Sequence, residues 1–263
     1  MDGIESVKFV FGEEAAVVNA DNKDFIVVSD LHIGAEQKLI EKGIKIYDAE
    51  KLMAERIIKI SEDFNTKNLI ILGDVKESIF YPDKSEQLRL KRFFYLLKDF
   101  KIQIVTGNHD AHLRELIDDV DIRDELIIDK FAFLHGHKMP SPTAMLSNYI
   151  LAGHNHIMVT LEDENKGVYT QKAWLVAKLN SRYAKDKYST FNKSLRLVVF
   201  PAFNNLISGI PINEKKEKLS LFMEKLFNYK NAELYSINGV FLGSSSKIGI
   251  GKRNKKSNTF KTV

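Results

Sequence analysis

The sequence predicts an α/β fold in which two layers of β-strands form a sandwich flanked by helices. Two observations favour this prediction. In the first half of the chain, the apolar runs FIVV, NLII and IQIV alternate with two amphipathic helical segments. Such βαβ units give a parallel sheet with helices on its faces. Beyond residue 156, hairpins and short strands predominate, which indicates a second β layer that closes the sandwich.

The elements of the first half follow one another with clear boundaries. VKFVFGEEAAVVNA is typical of a hairpin with two glutamates near its turn, and the strand after it ends at Asp30. Residues 48–64 have apolar side chains at helical spacing and predict a helix that packs on the sheet. NLII is the next strand. Asp83 is the expected N-cap of the second helix, with Glu86 three residues later. The strand IQIV then leads into the motif GNHD.

In the second half, a short helix is expected in AHLRELIDDV, and FAFL and YILA follow as strands. IMVTLEDENKGVYTQKAWLV predicts a hairpin that turns at residues 164–167, LRLVVFP and AELYSINGVFLG are further strands, and LSLFMEKLF is helical. We expect one domain over residues 1–243, with its motifs at residues 30–156 and a C-terminal β layer at 157–243. Trp174, the single tryptophan, is expected in the core or at its rim.

Composition excludes several classes of protein. A chain of 263 residues with 44% hydrophobic residues can build an ordinary buried core. No run approaches the ~20 apolar residues of a membrane span, and acids stand where a signal peptide would have basic residues, so we expect a cytoplasmic protein without a membrane partner. The absence of cysteine excludes disulfides, thiolate catalysis and Cys-ligated zinc. Any metal must therefore be held by His, Asp, Glu or Asn.

The net charge of +4 is concentrated at the end of the sequence. Residues 244–263 contain six basic residues and no acidic ones, which leaves 33 basic against 35 acidic residues in the rest. We expect this stretch to be a basic flexible tail, either a solvated terminus or a contact for a phosphate backbone. Residues 178–196 are also basic and include aromatics. That composition suits single-stranded nucleic acid, but it equally suits a solvated loop.

Metal-ligand residue types follow five strands in the motifs SDLH, GD, GNHD, HGH and GHNH. All seven histidines lie between His32 and His156, and six of them are in these motifs. One histidine near a strand end is most often structural, whereas the joint pattern predicts a metal site beyond the carboxyl ends of the strands. Two sites with N and O donors, suited to Mn, Fe, Co, Ni or Zn, can be built from Asp30, His32, Asp74, Asn108, His135, His154 and His156.

The series Asp-x-His, Gly-Asp, Gly-Asn-His-Asp, His-Gly-His and Gly-His-x-His, each after a strand, resembles the calcineurin-like metallophosphoesterase superfamily over residues 30–156. The resemblance implies an αββα fold with the metal site at the C-terminal ends of the strands. SDLHIG…EKGI and WL…PAFNNLISGIPIN further resemble the branch that contains the bacterial ligase-associated DNA-damage-response endonuclease and archaeal relatives encoded near large helicases. That branch implies nucleic acid as substrate and a helicase or ligase as partner.

The resemblance also implies a role for each motif residue. Asp30, His32 and His156 would hold the first metal; Asn108, His135 and His154 would hold the second. Asp74 would bridge them, because a carboxylate can join two ions ~3.5–4 Å apart that also hold a bridging hydroxide.

Four further roles follow from the same motifs. His109 would protonate the leaving oxygen, with Asp110 as its orienting carboxylate. Asn108 and His137 would contact the substrate phosphate, although His137 equally suits a structural hydrogen bond. Glu77 lies at a turn where relatives often have a second acid or a histidine, and we expect it to be an ordinary loop residue.

Together these features predict a binuclear-metal-dependent phosphoesterase that hydrolyses phosphodiester bonds with a metal-bridging hydroxide. Two divalent ions are expected, Mn before Fe, Co, Ni or Zn. Nucleic acid is the favoured substrate, as in an endonuclease of DNA repair. The first alternative is a phosphodiesterase or phosphatase of small nucleotides. The second is a non-catalytic scaffold of the same fold, which is disfavoured because none of the expected ligands is missing.

Overall fold

The computed structural model describes residues 7–46, 48–214 and 219–248. The strands in these residues are β1 (Val7–Phe9), β2 (Ala15–Ala20), β3 (Lys23–Val28), β4 (Asn68–Ile71), β5 (Lys101–Val105), β6 (Asp121–Arg123), β7 (Leu126–Ile128), β8 (Phe131–Phe133), β9 (Tyr149–Ala152), β10 (Ile157–Glu162), β11 (Val168–Lys178), β12 (Arg196–Val199), β13 (Ile210–Pro211), β14 (Glu233–Ser236) and β15 (Phe241–Ser244). The α-helices are α1 (Gln37–Ile40), α2 (Ala49–Phe64), α3 (Lys84–Leu96), α4 (Ser181–Lys187) and α5 (Leu221–Leu226). Single 3-10 turns occur at Leu113–Glu115, Ala144–Leu146 and Tyr229–Asn231.

The first sheet has the strand order β1-β2-β3-β4-β5-β6. An antiparallel meander leads from β1 to β3, and β3, β4, β5 and β6 then run parallel. The crossovers α2 and α3 pack on this sheet through buried residues that include Ile57 and Phe93. The side chain of Asp83 accepts a hydrogen bond from the backbone N–H of Glu86 at 2.8 Å, as the N-cap of α3. The predicted parallel βαβ arrangement is confirmed.

The second sheet has the order β13-β10-β11-β12-β9-β8-β7, and the hairpin β14–β15 pairs with β11. Strands β8, β9 and β12 are parallel. This layer begins at β7, earlier than the expected boundary at residue 157. The reason is that β9 pairs with β12, which lies more than forty residues later in the sequence. The motif strands are thus divided between the two sheets. The single-domain organisation of residues 1–243 stays a prediction.

The main core lies between the sheets. In β3, Phe25 and Val27 face the second sheet, whereas Ile26 and Val28 face α2 and α3, which explains the unbroken apolar run. Trp174 is fully buried in this core and stacks on Phe9 with ring centroids 4.2 Å apart. The helices α4 and α5 contribute buried residues to the same cluster. The predicted two-layer sandwich flanked by helices, the αββα architecture, is confirmed.

Three local expectations differ from the structure. The stretch AHLRELIDDV forms only a single 3-10 turn, since His112 at its start has a left-handed φ of 64°. The basic segment contains a helix, α4, whose N-cap Asn180 accepts a hydrogen bond from the N–H of Tyr183. Ser245 is bonded to Tyr229 and Ala232, so the expected tail begins later than residue 244. Most of that tail, residues 249–263, lies outside the described residues.

No helix among the described residues combines the length and the apolar character that crossing a membrane requires.

Candidate metal centre

The exits of β3, β4, β5, β8 and β9 converge at one edge of the sandwich. Backbone hydrogen bonds join their loops: the N–H of His32 donates to the carbonyl of Asp74 at 2.9 Å, and the N–H of Gly153 donates to the carbonyl of His135 at 3.0 Å. The two sheets are linked where the backbone N–H of His154 donates to the carboxylate of Asp30. Residues far apart in the sequence therefore form one site.

Two motif glycines are required by close packing against the acidic side chains. A Cβ at Gly107 would lie 2.1 Å from Oδ1 of Asp74, and a Cβ at Gly153 would lie 2.5 Å from Oδ2 of Asp30. Any larger residue at these positions would displace a carboxylate. The glycines of GNHD and GHNH thus allow the loops to press directly against the candidate ligands.

Most of the candidate ligands have a strained backbone conformation. A positive φ is uncommon for residues other than glycine and costs about 1–2 kcal/mol per residue. Five candidate ligands have one, between 40° and 69°: Asp30, His32, Asp74, His154 and His156. Strain of this kind persists only where the surrounding structure holds it, and it clusters at functional sites.

The candidate ligands form two adjoining clusters. In the first, Nε2 of His156 lies 3.1 Å from Oδ1 of Asp30 and 3.3 Å from Nε2 of His32. In the second, Nε2 of His135 lies 3.2 Å from both Oδ2 of Asp74 and Nδ1 of His154.

Asp74 lies between the two clusters. The same Oδ2 atom that approaches His135 is 3.7 Å from Nε2 of His32. Asn108 is exposed on the neighbouring loop, where the N–H of His109 donates to Oδ1 of Asp74 at 2.9 Å. The structure thus brings six of the seven expected ligands together and leaves Asn108 at the rim.

The ring orientations suit metal binding. Nδ1 of His135 donates to the carbonyl of Leu72 at 2.7 Å, so Nε2 is the ring nitrogen that faces Asp74. Nδ1 of His32 lies 2.9 Å from a carboxylate oxygen of Glu77, while its Nε2 faces the first cluster. Metal-ligating histidines typically have their second nitrogen held by a carbonyl or a carboxylate. The N and O donor set fits first-row divalent ions.

The electrostatics keep the buried carboxylates ionised. Burial raises the pKa of Asp30, but the charge and hydrogen bond of His156 outweigh burial and hold the pKa below its usual value. Burial likewise opposes ionisation of Asp74, and the hydrogen bond from His135 lowers its pKa. Burial lowers the pKa of His154 to about 4, with a further contribution from the charge of His135. His154 is therefore neutral at pH 7, the form in which imidazole binds metals.

His109 lies beside the first cluster, with its ring edge-on to that of His32 at 4.9 Å between centroids. Its Nδ1 donates to the backbone carbonyl of Glu77, so Nε2 is free to face a substrate. The buried carboxylate of Asp110 accepts hydrogen bonds from the N–H groups of Gly107 and Val75, both at 2.8 Å. In this geometry Asp110 joins two loops, and its expected contact with the imidazole stays a prediction.

Glu77, expected to be an ordinary loop residue, lies at the site beside His32 and His109. Its carboxylate lies 2.9 Å from Nδ1 of His32 and 2.6 Å from Nζ of Lys38. Burial raises the pKa of Glu77, but the contacts with His32 and Lys38 lower it to about 2. The spacing Gly-Asp-x-x-Glu was the available signal, because it places an acid on the turn that follows Asp74.

His137 lies at the edge of the second cluster. Its ring centroid is 5.3 Å from that of His135, and it lines a cavity of about 350 Å³ that also includes Lys138. Burial, with the charge of His135, lowers the pKa of His137 to about 4, so it is neutral at pH 7. Its role in binding substrate stays a prediction.

The basic segment at residues 178–196 begins and ends at the edge of the second sheet that lies opposite the metal-ligand motifs. Lys178 pairs with Arg196 and Arg196 pairs with Tyr149, the first residue of β9, whereas the other end of β9 leads to His154. A four-residue strand spans ~13 Å. Tyr188 is buried and donates its hydroxyl hydrogen to the carbonyl of Pro140 at 2.9 Å. Its aromatic ring therefore packs in the protein and does not offer a stacking surface.

Comparisons with known proteins agree with this architecture. Residues 24–177 match the model of the calcineurin-like phosphoesterase superfamily domain. The crystal structure of the Pseudomonas putida nuclease MPE has a TM-score of 0.58 and 16% identity, covering 90% of this chain and 96% of that chain. YfcE, a phosphoesterase from E. coli, has a TM-score of 0.37 and 14% identity, with 83% and 96% covered. No curated protein matches the chain. The likeness to the P. putida protein supports the fold.

Proposed function

This chain belongs to the calcineurin-like phosphoesterase superfamily, and we propose that it is a binuclear-metal-dependent phosphodiesterase that acts on nucleic acid. Membership identifies it as a metal-dependent phosphoesterase, a hydrolase. One observation carries the binuclear part of the proposal: Oδ2 of Asp74 approaches Nε2 of His135 at 3.2 Å and Nε2 of His32 at 3.7 Å. One carboxylate oxygen thus faces both clusters.

The proposed ligands follow from the two clusters. Asp30, His32 and His156 would hold the first ion, His135 and His154 would hold the second, and Asp74 would be shared. Asn108 is added to the second set on the family resemblance of the GNHD motif. When bound, the ions supply an activated water and neutralise charge on the phosphoryl oxygens. Mn is the first ion to test, with Fe, Co, Ni and Zn also compatible with these donors.

The remaining chemistry belongs to side chains of the chain. We assign His109 as the acid that protonates the leaving oxygen through Nε2, because its Nδ1 is held by the carbonyl of Glu77. Asp110 positions the GNHD loop through its bonds to Gly107 and Val75. The carboxylate of Glu77 orients His32. No covalent enzyme intermediate is needed, because the nucleophile in this proposal is a water.

A diester substrate is supported by the space beside His109. A cavity of about 450 Å³ adjoins this residue and leaves room for an esterified leaving group. Nucleic acid is supported by the resemblance to the ligase-associated endonuclease branch, and the P. putida protein of the same fold is described as a nuclease. A helicase or ligase partner and a role in DNA repair belong to the same proposal. The alternative is a phosphodiesterase of small nucleotides, and the limited volume of the same cavity favours it because a single nucleoside would fill it.

The proposal is tested with protein stripped of metal and reloaded with Mn²⁺. The substrates are bis-p-nitrophenyl phosphate, p-nitrophenyl phosphate, and single- and double-stranded DNA and RNA. We expect metal-dependent cleavage of the diester and of at least one polymer, lost in Asp74→Asn and retained in Asp63→Asn, which alters an exposed aspartate on α2. Turnover of the monoester alone would reject the diesterase assignment. Cleavage of the small diester without any polymer would favour the small-nucleotide alternative.

A further inference from the structure

We propose that Phe80 is a stacking platform for the nucleobase of the leaving group, which makes it a specificity-determining residue. The inference rests on the proposed function, since it places a nucleoside on the side of the site that His109 serves. It adds a binding role for the segment Ile79-Phe80-Tyr81, which lies outside the metal-ligand motifs.

The position of Phe80 relative to His109 is the first support. Both residues line the cavity of about 450 Å³, together with Gly34, Lys38, Glu77 and Ser78. His109 adjoins both this cavity and the first cluster, because it lines the cavity and its ring contacts that of His32. A group attached to the oxygen that His109 protonates therefore extends into this cavity.

Phe80 is held in place although its side chain is exposed. The ammonium group of the buried Lys76 donates to the backbone carbonyls of Ser78 and of Phe80, the latter at 2.9 Å. Glu86 on α3 accepts hydrogen bonds from the N–H groups of Glu77 and Ser78, at 2.9 and 3.0 Å. These bonds fix the backbone of the turn, so the exposed side chain of Phe80 projects from a preorganised segment.

The exposure of this turn is the second support. Ile79, Phe80 and Tyr81 are consecutive and are 52%, 82% and 53% exposed. A single exposed apolar side chain is ordinary, whereas a contiguous apolar patch on a rigid turn beside a cavity marks a binding surface. Aromatic faces that bind single-stranded nucleic acids gain ~1–3 kcal/mol per stacked base.

The charges around the cavity indicate which part of a nucleotide it accepts. Its lining includes the carboxylates of Glu41, Asp83 and Glu86. Its two strongly basic residues are already paired, Lys38 with Glu77 at 2.6 Å and Arg89 with Glu36 at 2.5 Å. Such a lining does not attract a second phosphate. A neutral base with its sugar suits both the charge and the aromatic face.

The kinetic test uses the protein loaded with Mn²⁺. It compares d(TpT) with two analogues, in each of which an abasic tetrahydrofuran residue replaces one of the two thymidines. In the wild type, loss of the base on the leaving side should lower kcat/KM about 5- to 150-fold, the range that stacking supplies. In Phe80→Ala that penalty should disappear, and in Phe80→Leu it should be largely lost. Phe11→Ala is the matched control, because Phe11 is 78% exposed on a different turn. An equal penalty in the wild type and Phe80→Ala would overturn the proposal.

A binding measurement separates this proposal from the proposed function. Saturation-transfer NMR of d(TpT) is recorded with the protein in EDTA, where hydrolysis cannot occur. We expect saturation of the thymine protons by the wild type and by Phe11→Ala, and its loss in Phe80→Ala. If no substrate is hydrolysed but this pattern holds, the proposed function fails and the base site stands. Absence of thymine saturation in the wild type, or its persistence in Phe80→Ala, overturns the base site.

Discussion

His109 has one ring nitrogen bonded to the carbonyl of Glu77 and the other directed away from it. A residue with this geometry can donate a proton without holding a metal. We predict that His109→Ala lowers turnover ~10²-fold or more, the range for lost acid catalysis, while two equivalents of metal remain bound. Metal content by atomic emission and steady-state kinetics check this together. His112→Ala, which removes an exposed histidine, is the control; loss of metal in His109→Ala would instead identify His109 as a ligand.

Glu77 acts on the site through His32. Its carboxylate is 2.9 Å from Nδ1 of His32, and replacement of such a partner typically costs 10- to 100-fold in metal affinity. We therefore predict that Glu77→Gln raises the Kd for Mn²⁺ by about tenfold or more, while kcat at saturating metal falls much less. Metal titration by calorimetry separates the two effects. Glu41→Gln, at an exposed position on the same cavity, should bind metal like the wild type, and unchanged affinity in Glu77→Gln would refute the positioning role.

At the scale of elements, the sequence predicted what depends on local pattern. Helix α2 begins and ends within a residue of its predicted bounds, and the predicted strands FIVV, NLII and IQIV are present. These features depend on periodicity and capping, which involve residues close to one another in the sequence. The start of the second sheet at β7 was not predictable, since it depends on the pairing of β9 with the distant β12. Glu77 was expected to be an ordinary loop residue for a similar reason: its contact with His32 depends on how two loops meet.

Tyr188, in the segment that joins β11 to β12, should make the stability of the protein depend on pH. Burial, with the nearby carboxylate of Glu125, raises the pKa of Tyr188 to about 12, against 10.0 in an unfolded chain. Between pH 10 and pH 12, the folded protein therefore keeps the hydroxyl proton of Tyr188, whereas the unfolded chain has lost it. The stabilising contribution is complete below pH 10 and is lost as the pH rises towards 12.

We predict that Tyr188→Phe lowers the free energy of unfolding at pH 8 by about 1 kcal/mol, because the hydrogen bond to Pro140 is lost. The difference from the wild type should shrink between pH 10 and pH 11, since phenylalanine has no proton to lose. Urea unfolding at a series of pH values measures both effects. Tyr95→Phe, at an exposed position on α3, should follow the wild type throughout. A constant difference across the pH series would show that Tyr188 is not held protonated by the fold.

At the scale of the whole molecule, the site joins the two sheets. Asp30 and Asp74 follow strands of the first sheet, whereas His135 and His154 follow strands of the second. Two buried carboxylates lie near each other here: the charge of Asp74 raises the pKa of Asp30, although the surrounding histidines outweigh this repulsion. A bound cation would offset this repulsion and hold the two layers together, so metal binding and global stability should be coupled.

We predict that removal of metal with EDTA lowers the Tm of the wild type. At a metal concentration of 100 times Kd, each ion that binds the native state contributes about 2.7 kcal/mol. For a chain of this size that corresponds to a change in Tm of about 5–10 °C. Differential scanning calorimetry with Mn²⁺ and with EDTA measures the change. Asp74→Asn should lose most of it because the shared ligand is removed, and Asp63→Asn should keep it. If Asp74→Asn is stabilised by Mn²⁺ as strongly as the wild type, the ions do not bind between the sheets.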